Sequence, residues 1–340
     1  MKLRSLAALC WCAATAAPAL AAPTTLDAVR VAGTLACGVV TEPEDWTKTD
    51  LHGGLAPLGT EICKAVAVAA LGDKAKVDIH PYASELVAGD GLRKGEVPLV
   101  LGMTASATAM WHWQIAFGPP VFYDGQSILV RGDAHVEKPA DLAGLRICFI
   151  EGTENEPVLL ARTVARKIAI IPLPFQEAGE MDDAMAVRHC DAVSAYVSKL
   201  AVLRTAYAKQ LGRDVILSDW LTIAPVAPAY RQGDAQWAML VDWTIQALIQ
   251  AEASGVTRAT IGDANDSEDP IVQRLTGKDW ASSRAVGLQD HDWAAKVIAV
   301  VGNYGEIYDR TVGAHAALRL PRGRNALWTQ GGLMVPLPVQ

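Results

Sequence analysis

The chain has 340 residues, of which 51% are hydrophobic and 20% are charged, and its formal net charge is −7. An acidic chain without a dense basic run disfavours nucleic acid and anionic membrane surfaces as partners. A length of this order suffices for two lobes, each with its own hydrophobic core.

Residues 1–22 have the pattern of a secretory signal peptide. Lys2 and Arg4 form a short basic region, residues 6–17 are apolar, and small residues suit cleavage near Ala21 or Ala22. The apolar stretch is too short to be a good membrane span. We therefore expect an exported, periplasmic chain whose net charge becomes −9, because both lost charges are positive.

The next part of the chain alternates strands and helices. Strand-like apolar runs occupy 34–40, 77–82 and 97–102, and helices are predicted over 61–71 and 83–96. This β-α-β-α-β order predicts a parallel sheet flanked by helices.

The same pattern then repeats. Strands are predicted over 145–150, 169–175 and 190–196, with helices over 151–165 and 177–189. The first of these helices offers Thr153 as an N-cap, with Glu156 three residues on. A doubly wound sheet of strand order 2-1-3 would place the first and third strands of this repeat side by side.

Two segments, 122–134 and 216–234, connect the two patterns and predict a two-stranded hinge between two lobes. Beyond them, a strong amphipathic helix over 236–255 ends at Gly255, a good C′ residue, and one further helix is predicted over 294–313. The predicted domains are a signal peptide (1–22), lobe 1 (23–125), lobe 2 (126–222), and a return to lobe 1 with a helical tail (223–340).

Four cysteines remain once the signal peptide is removed, namely Cys37, Cys63, Cys148 and Cys190. An even number in an oxidising compartment indicates disulfides, whereas the lack of a C-x-x-C motif and the scattered histidines argue against a metal site. Four cysteines allow three pairings. The predicted elements favour Cys37–Cys63 and Cys148–Cys190, because each pair then stays within one lobe.

Long segments of the chain resemble the family-3 periplasmic solute-binding proteins, and within them the subgroup that serves general or polar amino-acid ABC transporters. The segments that carry the resemblance cover nearly the whole mature chain and include TLDAVRVAGTLACGV (25–39), FYDGQSILVR (122–131), LAGLRICFIEGTENE (142–156), YRQGDAQWAMLVDWTIQALIQAE (230–252) and VGNYGEIYDRTVG (301–313). The resemblance implies an α/β fold of two lobes that close on a small-molecule ligand. It also implies a membrane permease as partner, a monomer, no cofactor, and disulfides at the four retained cysteines.

Three charged positions by which that family grips an α-amino acid are neutral in this chain. The carboxylate-binding arginine, five residues after the threonine of G-M-T, corresponds to Ala109. The acidic residue that binds the ammonium corresponds to Tyr196, and an aspartate before the first long helix corresponds to Gly59. We therefore expect the usual amino-acid clamp to be lost.

Other features of the family's cleft are retained. An aromatic residue that covers the ligand corresponds to Trp46, and Thr104 keeps the family's hydroxyl. Backbone N–H groups at a helix N-terminus favour an anion near Gly152 and Thr153. The predicted cleft residues give a neutral, aromatic and hydroxylic surface: Trp46, Thr104, Ser106, Thr108, Gly152, Thr153 and Tyr196.

Several of these residues have an ordinary structural interpretation as well. Trp46 and Tyr196 fit packing as well as ligand contact, and Thr153 fits a helix cap. Trp111 and Trp113 flank His112 and are either an exposed aromatic patch or local core packing. The acidic residues around position 44 fit a solvated loop.

No enzyme motif is present: the sequence lacks G-x-S-x-G, H-E-x-x-H, a P-loop and a dinucleotide-binding glycine motif. The leading hypothesis is a periplasmic solute-binding protein that works by hinge closure. The alternative is a scaffold reused as a periplasmic accessory protein, for example of a quinoprotein dehydrogenase, without a role in transport.

Overall fold

A computed structural model describes residues 24–41, 54–208, 214–278, 288 and 290–337. The predicted signal peptide lies outside these residues. The strands, in chain order, are β1 (Thr34–Val40), β2 (Lys76–Tyr82), β3 (Leu99–Thr104), β4 (Ile115–Phe117), β5 (Phe122–Asp124), β6 (Gln126–Val130), β7 (Arg146–Ile150), β8 (Ile171–Phe175), β9 (Ala192–Tyr196), β10 (Val215–Ile216) and β11 (Ala224–Arg231).

The α-helices within the described residues surround these strands. They are α1 (Thr25–Ala32), α2 (Ala56–Leu71), α3 (Glu85–Lys94), α4 (Ala107–Trp113), α5 (Asn155–Ala165), α6 (Ala178–Ala186), α7 (Val197–Ala206), α8 (Ala235–Ala253), α9 (Pro270–Leu275), α10 (Trp293–Val301) and α11 (Tyr304–Thr311). No helix among the described residues is both long and apolar enough to cross a bilayer.

The strands form two sheets, which confirms the predicted two-lobed α/β fold. The first sheet has the order β2-β1-β3-β11-β4, with β5 also paired to β11, and the second has the order β10-β6-β9-β7-β8. In each sheet the three strands at one end are parallel, in β2-β1-β3 and in β8-β7-β9. The 2-1-3 order predicted for the second lobe is therefore confirmed, and the first lobe has the same order.

The chain passes between the sheets twice, and the two crossings touch. A Cβ added to Gly125, between β5 and β6, would lie 2.2 Å from the carbonyl oxygen of Thr222, just before β11. The backbone N–H of Gln126 donates to the Thr222 hydroxyl at 2.9 Å. Only a glycine permits this approach, so the hinge consists of two adjacent strands. The exact domain boundaries at residues 125 and 222 stay predictions.

The buried carboxylate of Asp124 links the first crossing, between β5 and β6, to α7 by hydrogen bonds. Asp124 accepts hydrogen bonds from the backbone N–H groups of Gly125 (2.8 Å) and Ser198 (3.2 Å), and from the Ser198 hydroxyl (2.5 Å). Burial raises the pKa of Asp124, which the hydrogen bonds oppose. Ser198 lies in the first turn of α7, so this carboxylate fixes the start of α7 at the hinge.

Both predicted disulfides are present. Cys37 in β1 joins Cys63 in α2, with the two Cα atoms 6.1 Å apart, and Cys148 in β7 joins Cys190, just before β9, with the Cα atoms 5.9 Å apart. Each bridge ties elements within one lobe, as the predicted elements suggested. All four cysteines are buried.

The tail differs from its prediction. The single helix expected over 294–313 is two helices, α10 and α11. Gly302 has φ +77°, in the left-handed region that only glycine adopts readily, and Asn303 caps α11 in a capping box with Glu306. The apolar periodicity continues through the break because both helices pack on the core of the first lobe.

Other boundaries shift by a few residues. The helix predicted from 61 begins at Ala56, because Pro57 occupies the first turn, where its missing N–H costs nothing. The helix predicted to 255 ends at Ala253, and Gly255 adopts φ +67° beyond it, which confirms its role as a C′ glycine.

Candidate ligand-binding cleft

The segment after β3 is a helix and not only an exit loop. Ser106 is the N-cap of α4, and its hydroxyl oxygen accepts the backbone N–H of Ala109 at 3.2 Å. The predicted cleft hydroxyl of Ser106 is therefore used in capping. Thr108 is exposed on the same short helix, whereas Ala109 is buried.

The two tryptophans of this helix have different roles. The Trp113 ring packs against Gly89 of α3, where an added Cβ would lie 2.4 Å from the ring. The Trp111 side chain is 77% exposed. His112 meets the Trp113 ring edge to face, with centroids 5.1 Å apart. Packing therefore accounts for Trp113, while Trp111 faces solvent.

Thr104, the last residue of β3, meets a carboxylate. Its hydroxyl donates to Glu85 at 2.8 Å. Glu85 is the first residue of α3, which Ser84 caps, so a helix N-terminus stabilises its negative charge. The retained Thr104 hydroxyl is thus hydrogen-bonded to a negatively charged carboxylate on the first lobe.

Tyr196, the last residue of β9, also meets a carboxylate. Its hydroxyl donates to Glu154, which precedes α5. Burial, first, and then the hydrogen bond to Glu154 raise the pKa of the Tyr196 hydroxyl, with smaller contributions from the charges of Asp124 and Glu85. The Tyr196 hydroxyl is thus held by a carboxylate of its own lobe.

The turn before α5 is built differently from its prediction. The Thr153 hydroxyl donates to the carbonyl oxygen of Ile150 at 2.8 Å, so Thr153 does not cap α5, and the helix begins after Glu154. The backbone N–H of Gly152 is taken by the Glu156 carboxylate at 2.8 Å. The helix-cap interpretation of Thr153 is wrong because its hydroxyl closes the preceding turn instead.

A cavity of about 290 Å³ lies where the two lobes meet. Ala83, which follows β2 on the first lobe, forms one wall. The other lining residues belong to the second lobe, and the polar ones among them are Thr153, Asn155, Ser194, Tyr196 and Lys199. Two of the predicted cleft residues, Thr153 and Tyr196, are thereby brought together.

A charged residue lines this cavity, and the neutral cleft expected from the sequence stays a prediction. Lys199 lines it, with its Nζ 3.8 Å from the nearer carboxylate oxygen of Asp182. Glu85 and Glu154 hold the hydroxyls of two predicted cleft residues. Sequence reasoning missed all three charged residues. Only Lys199 carried a signal, because it follows Tyr196 by three residues at the start of a helix.

The remaining predicted positions lie apart from the cavity or outside the described residues. Gly59 is buried within α2, where an added Cβ would lie 3.2 Å from both Leu101 and Val39, so it faces the sheet. Trp46 lies outside the described residues, as does the acidic cluster of Glu42, Glu44 and Asp45. Within the described residues, no group of three or more His, Cys, Asp or Glu could hold a metal ion.

The chain is similar to proteins of known role along nearly all of its length. It is 35% identical to the general L-amino acid-binding periplasmic protein AapJ of Rhizobium johnstonii, an alignment that covers 100% of both chains. It is 33% identical to the glutamate/glutamine/aspartate/asparagine-binding protein BztA of Rhodobacter capsulatus, over 94% of both chains.

A solved structure is similar as well. A periplasmic binding protein from Brucella ovis, described with an ABC transporter and with glutathione bound, matches with a TM-score of 0.76 and 32% identity. The match covers 94% of this chain and 100% of that one. No model of a known protein family matches the chain.

Proposed function

The chain belongs to the family-3 periplasmic solute-binding proteins of amino-acid ABC transporters, and from that premise we propose that it captures a small amino-acid derivative without the family's usual clamp. Its relatives are named as periplasmic amino-acid-binding proteins or as an ABC transporter periplasmic binding protein, and by that likeness this chain would deliver its ligand to a membrane permease. The ligand would lie in the cavity between the lobes and stabilise the closed form.

The proposal that the clamp is lost rests on three neutral residues. Ala109, Tyr196 and Gly59 stand where the family has an arginine and two acidic residues. Removing one partner of a buried charge pair costs about 2–5 kcal/mol, and each 1.4 kcal/mol is about tenfold in affinity. A free amino acid held only at the usual positions would therefore bind far more weakly than to a relative that keeps the clamp.

The observation that carries the proposal is the cavity lined by Lys199 on the second lobe and by Ala83, which precedes α3, on the first. Lys199 offers a cation to a ligand on the second lobe, and Glu85, the first residue of α3, is our candidate for the opposite charge on the first lobe. A ligand carboxylate would pair with Lys199, and a ligand amine would approach Glu85. Thr153, Asn155 and Ser194 add neutral hydrogen-bonding groups for a longer polar ligand.

The test is calorimetric titration of the purified protein with the twenty common L-amino acids and with glutathione, the ligand of the Brucella ovis protein. We expect glutathione to bind, and the free amino acids to bind at least about a hundredfold more weakly than glutathione. A hundredfold in affinity is about 2.7 kcal/mol, which lies within the about 2–5 kcal/mol that a missing charge partner costs. Micromolar binding of a common amino acid would refute the loss of the clamp.

Two variants locate the ligand. Lys199→Met should weaken glutathione binding at least about tenfold, because a carboxylate loses its cation. Lys64→Met is the matched control, since Lys64 lies on α2, pairs with Glu61 three residues away, and lines no part of the cavity. Equal effects of the two variants would place the ligand elsewhere. Binding of none of these compounds would favour the accessory-protein alternative.

A further inference from the structure

A second cavity, of about 420 Å³, lies on the other side of the hinge region. Its lining combines Phe122 of β5, the start of α7, the return crossing around Trp220, Tyr308 of α11, and the tail around residues 320–331. It shares no lining residue with the cleft cavity, although Val197 lines this one and Tyr196 lines the other. The two cavities therefore lie on either side of the junction between β9 and α7.

The walls of this hinge cavity include aromatic side chains, and its charged groups are cationic. Phe122 and Tyr308 are buried and stacked, with ring centroids 6.3 Å apart and nearly parallel planes. Trp220 is half-buried and forms another wall. Arg204 and Arg324 are the charged residues of the lining. A flat apolar group with a negative charge would match these walls.

Arg204 is a half-buried cation. It lies in α7, and its guanidinium donates to the carbonyl oxygen of Leu318 at 2.9 Å. In the part of the chain that the structure describes, no carboxylate lies within salt-bridge distance of it, and burial alone lowers its pKa. A buried charge without a counter-charge costs free energy, and a bound anion would offset that cost.

Arg324 brings a second cation to the mouth of the cavity. Its guanidinium carbon lies 5.8 Å from the centroid of the Trp220 ring, and no carboxylate among the described residues pairs with it. Its neighbour Arg322 differs. The Arg322 guanidinium donates to both carboxylate oxygens of Glu252, at 2.8 and 3.0 Å, so its positive charge is neutralised. The tail thus neutralises the arginine that packs into the core and leaves the one at the cavity unneutralised.

We propose that this hinge cavity is a binding site for a small organic anion, an aromatic carboxylate or sulfonate, whose charge is held by Arg204 and Arg324 and whose ring packs against Trp220. Guanidinium groups bind carboxylate and sulfonate oxygens through charge-assisted hydrogen bonds. The site is distinct from the cleft, so both can be occupied at once. It goes beyond the proposed capture of a solute for transport.

The test uses 8-anilinonaphthalene-1-sulfonate as the probe, titrated into the full chain and followed by fluorescence. We expect saturable binding with about one molecule per chain. Arg204→Gln and Arg324→Gln should each weaken it at least about tenfold, which is about 1.4 kcal/mol. N-phenyl-1-naphthylamine, which has the same rings without the sulfonate, should bind the unaltered chain at least about tenfold more weakly.

Two further variants make the result specific. Arg319→Gln removes the same charge from an exposed position in the same tail, outside the lining, and should leave the affinity unchanged. Lys199→Gln changes the cleft cavity, so it should weaken the affinity for the probe only if the probe binds in the cleft. The proposal is overturned if no saturable binding occurs, if the uncharged analogue binds as tightly, if Lys199→Gln is the variant that weakens binding, or if Arg324→Gln, an exposed change that leaves the fold intact, has no effect.

Discussion

A methyl group added at Gly89 tests whether Trp113 packs where the structure places it. Gly89 is a buried residue within α3, and its missing side chain makes room for the indole of Trp113 in α4. An added Cβ would lie 2.4 Å from two carbons of the indole. Carbon atoms in contact prefer about 3.5 Å or more, so the ring would have to move by about 1.1 Å, the difference between the two distances.

Two effects of opposite sign set the magnitude for Gly89→Ala. Alanine is favoured over glycine within a helix by about 1 kcal/mol. Overpacking of a filled site costs about 1–3 kcal/mol, and a contact this short belongs at the upper end of that range. We therefore expect the free energy of unfolding to fall by about 2 kcal/mol, the difference between about 3 and about 1.

Gly179→Ala is the matched control. Gly179 lies in α6, is exposed, and has no atom within 4 Å of its added Cβ. Only the helix propensity changes there, so the free energy of unfolding should rise by about 0.5–1 kcal/mol. Urea unfolding of both variants, followed by far-UV circular dichroism at one pH, measures the difference.

A third variant isolates the contact itself. In a Trp113→Leu background, Gly89→Ala should no longer be costly, because the indole that the methyl group would meet is gone. The packing reasoning is refuted if Gly89→Ala proves as stable as Gly179→Ala. It is also refuted if the cost of Gly89→Ala persists unchanged in the Trp113→Leu background.

Three further predictions concern charge, the disulfide and the hinge. Burial raises the pKa of Asp242 to about 6. Because this value exceeds the ordinary 3.8, the charged carboxylate destabilises the folded state as pH rises through about 6. Asp242→Asn should therefore be more stable than the unaltered chain by about 1–2 kcal/mol at pH 8, and by little at pH 4.5. Urea unfolding at the two pH values measures the difference. The double change Cys148→Ala and Cys190→Ala opens a loop with a sequence separation of 42 and should cost about 4 kcal/mol by calorimetry, whereas an unchanged stability would contradict the loop-entropy argument. Ser198→Ala removes the hydroxyl donor to buried Asp124 and should cost about 1–3 kcal/mol in thermal unfolding, with no change at all counting against the hinge anchor.

The fold could be predicted from the sequence because its elements are long and regularly spaced. The apolar runs around Cys37 and Cys148 each start a β-α-β-α-β series, and the strand order 2-1-3 is the usual solution for such a series. The disulfide pairing followed because each pair then stays within one lobe. Short elements escaped prediction: α4 has only seven residues and depends on a single cap at Ser106.

The candidate site could be predicted only in part. Thr153 was predicted from its place at the start of a helix and Tyr196 from the resemblance to the family, and both line the cleft cavity. Their partners could not be found in this way. Tyr196 meets Glu154 across 42 positions of the chain, and Thr104 meets Glu85 across 19.

The amino-acid sequence alone determined the alternation of strands and helices, the two-lobed architecture and the pairing of the cysteines. These properties depend on local periodicity and on residue identity. The tertiary structure alone decided that Glu85 and Glu154 accept hydrogen bonds from Thr104 and Tyr196, that Lys199 lines the cleft cavity, and that Arg204 and Arg324 line one second cavity. Contacts between distant segments depend on how the sheets twist and the lobes pack, which no local pattern in the sequence encodes.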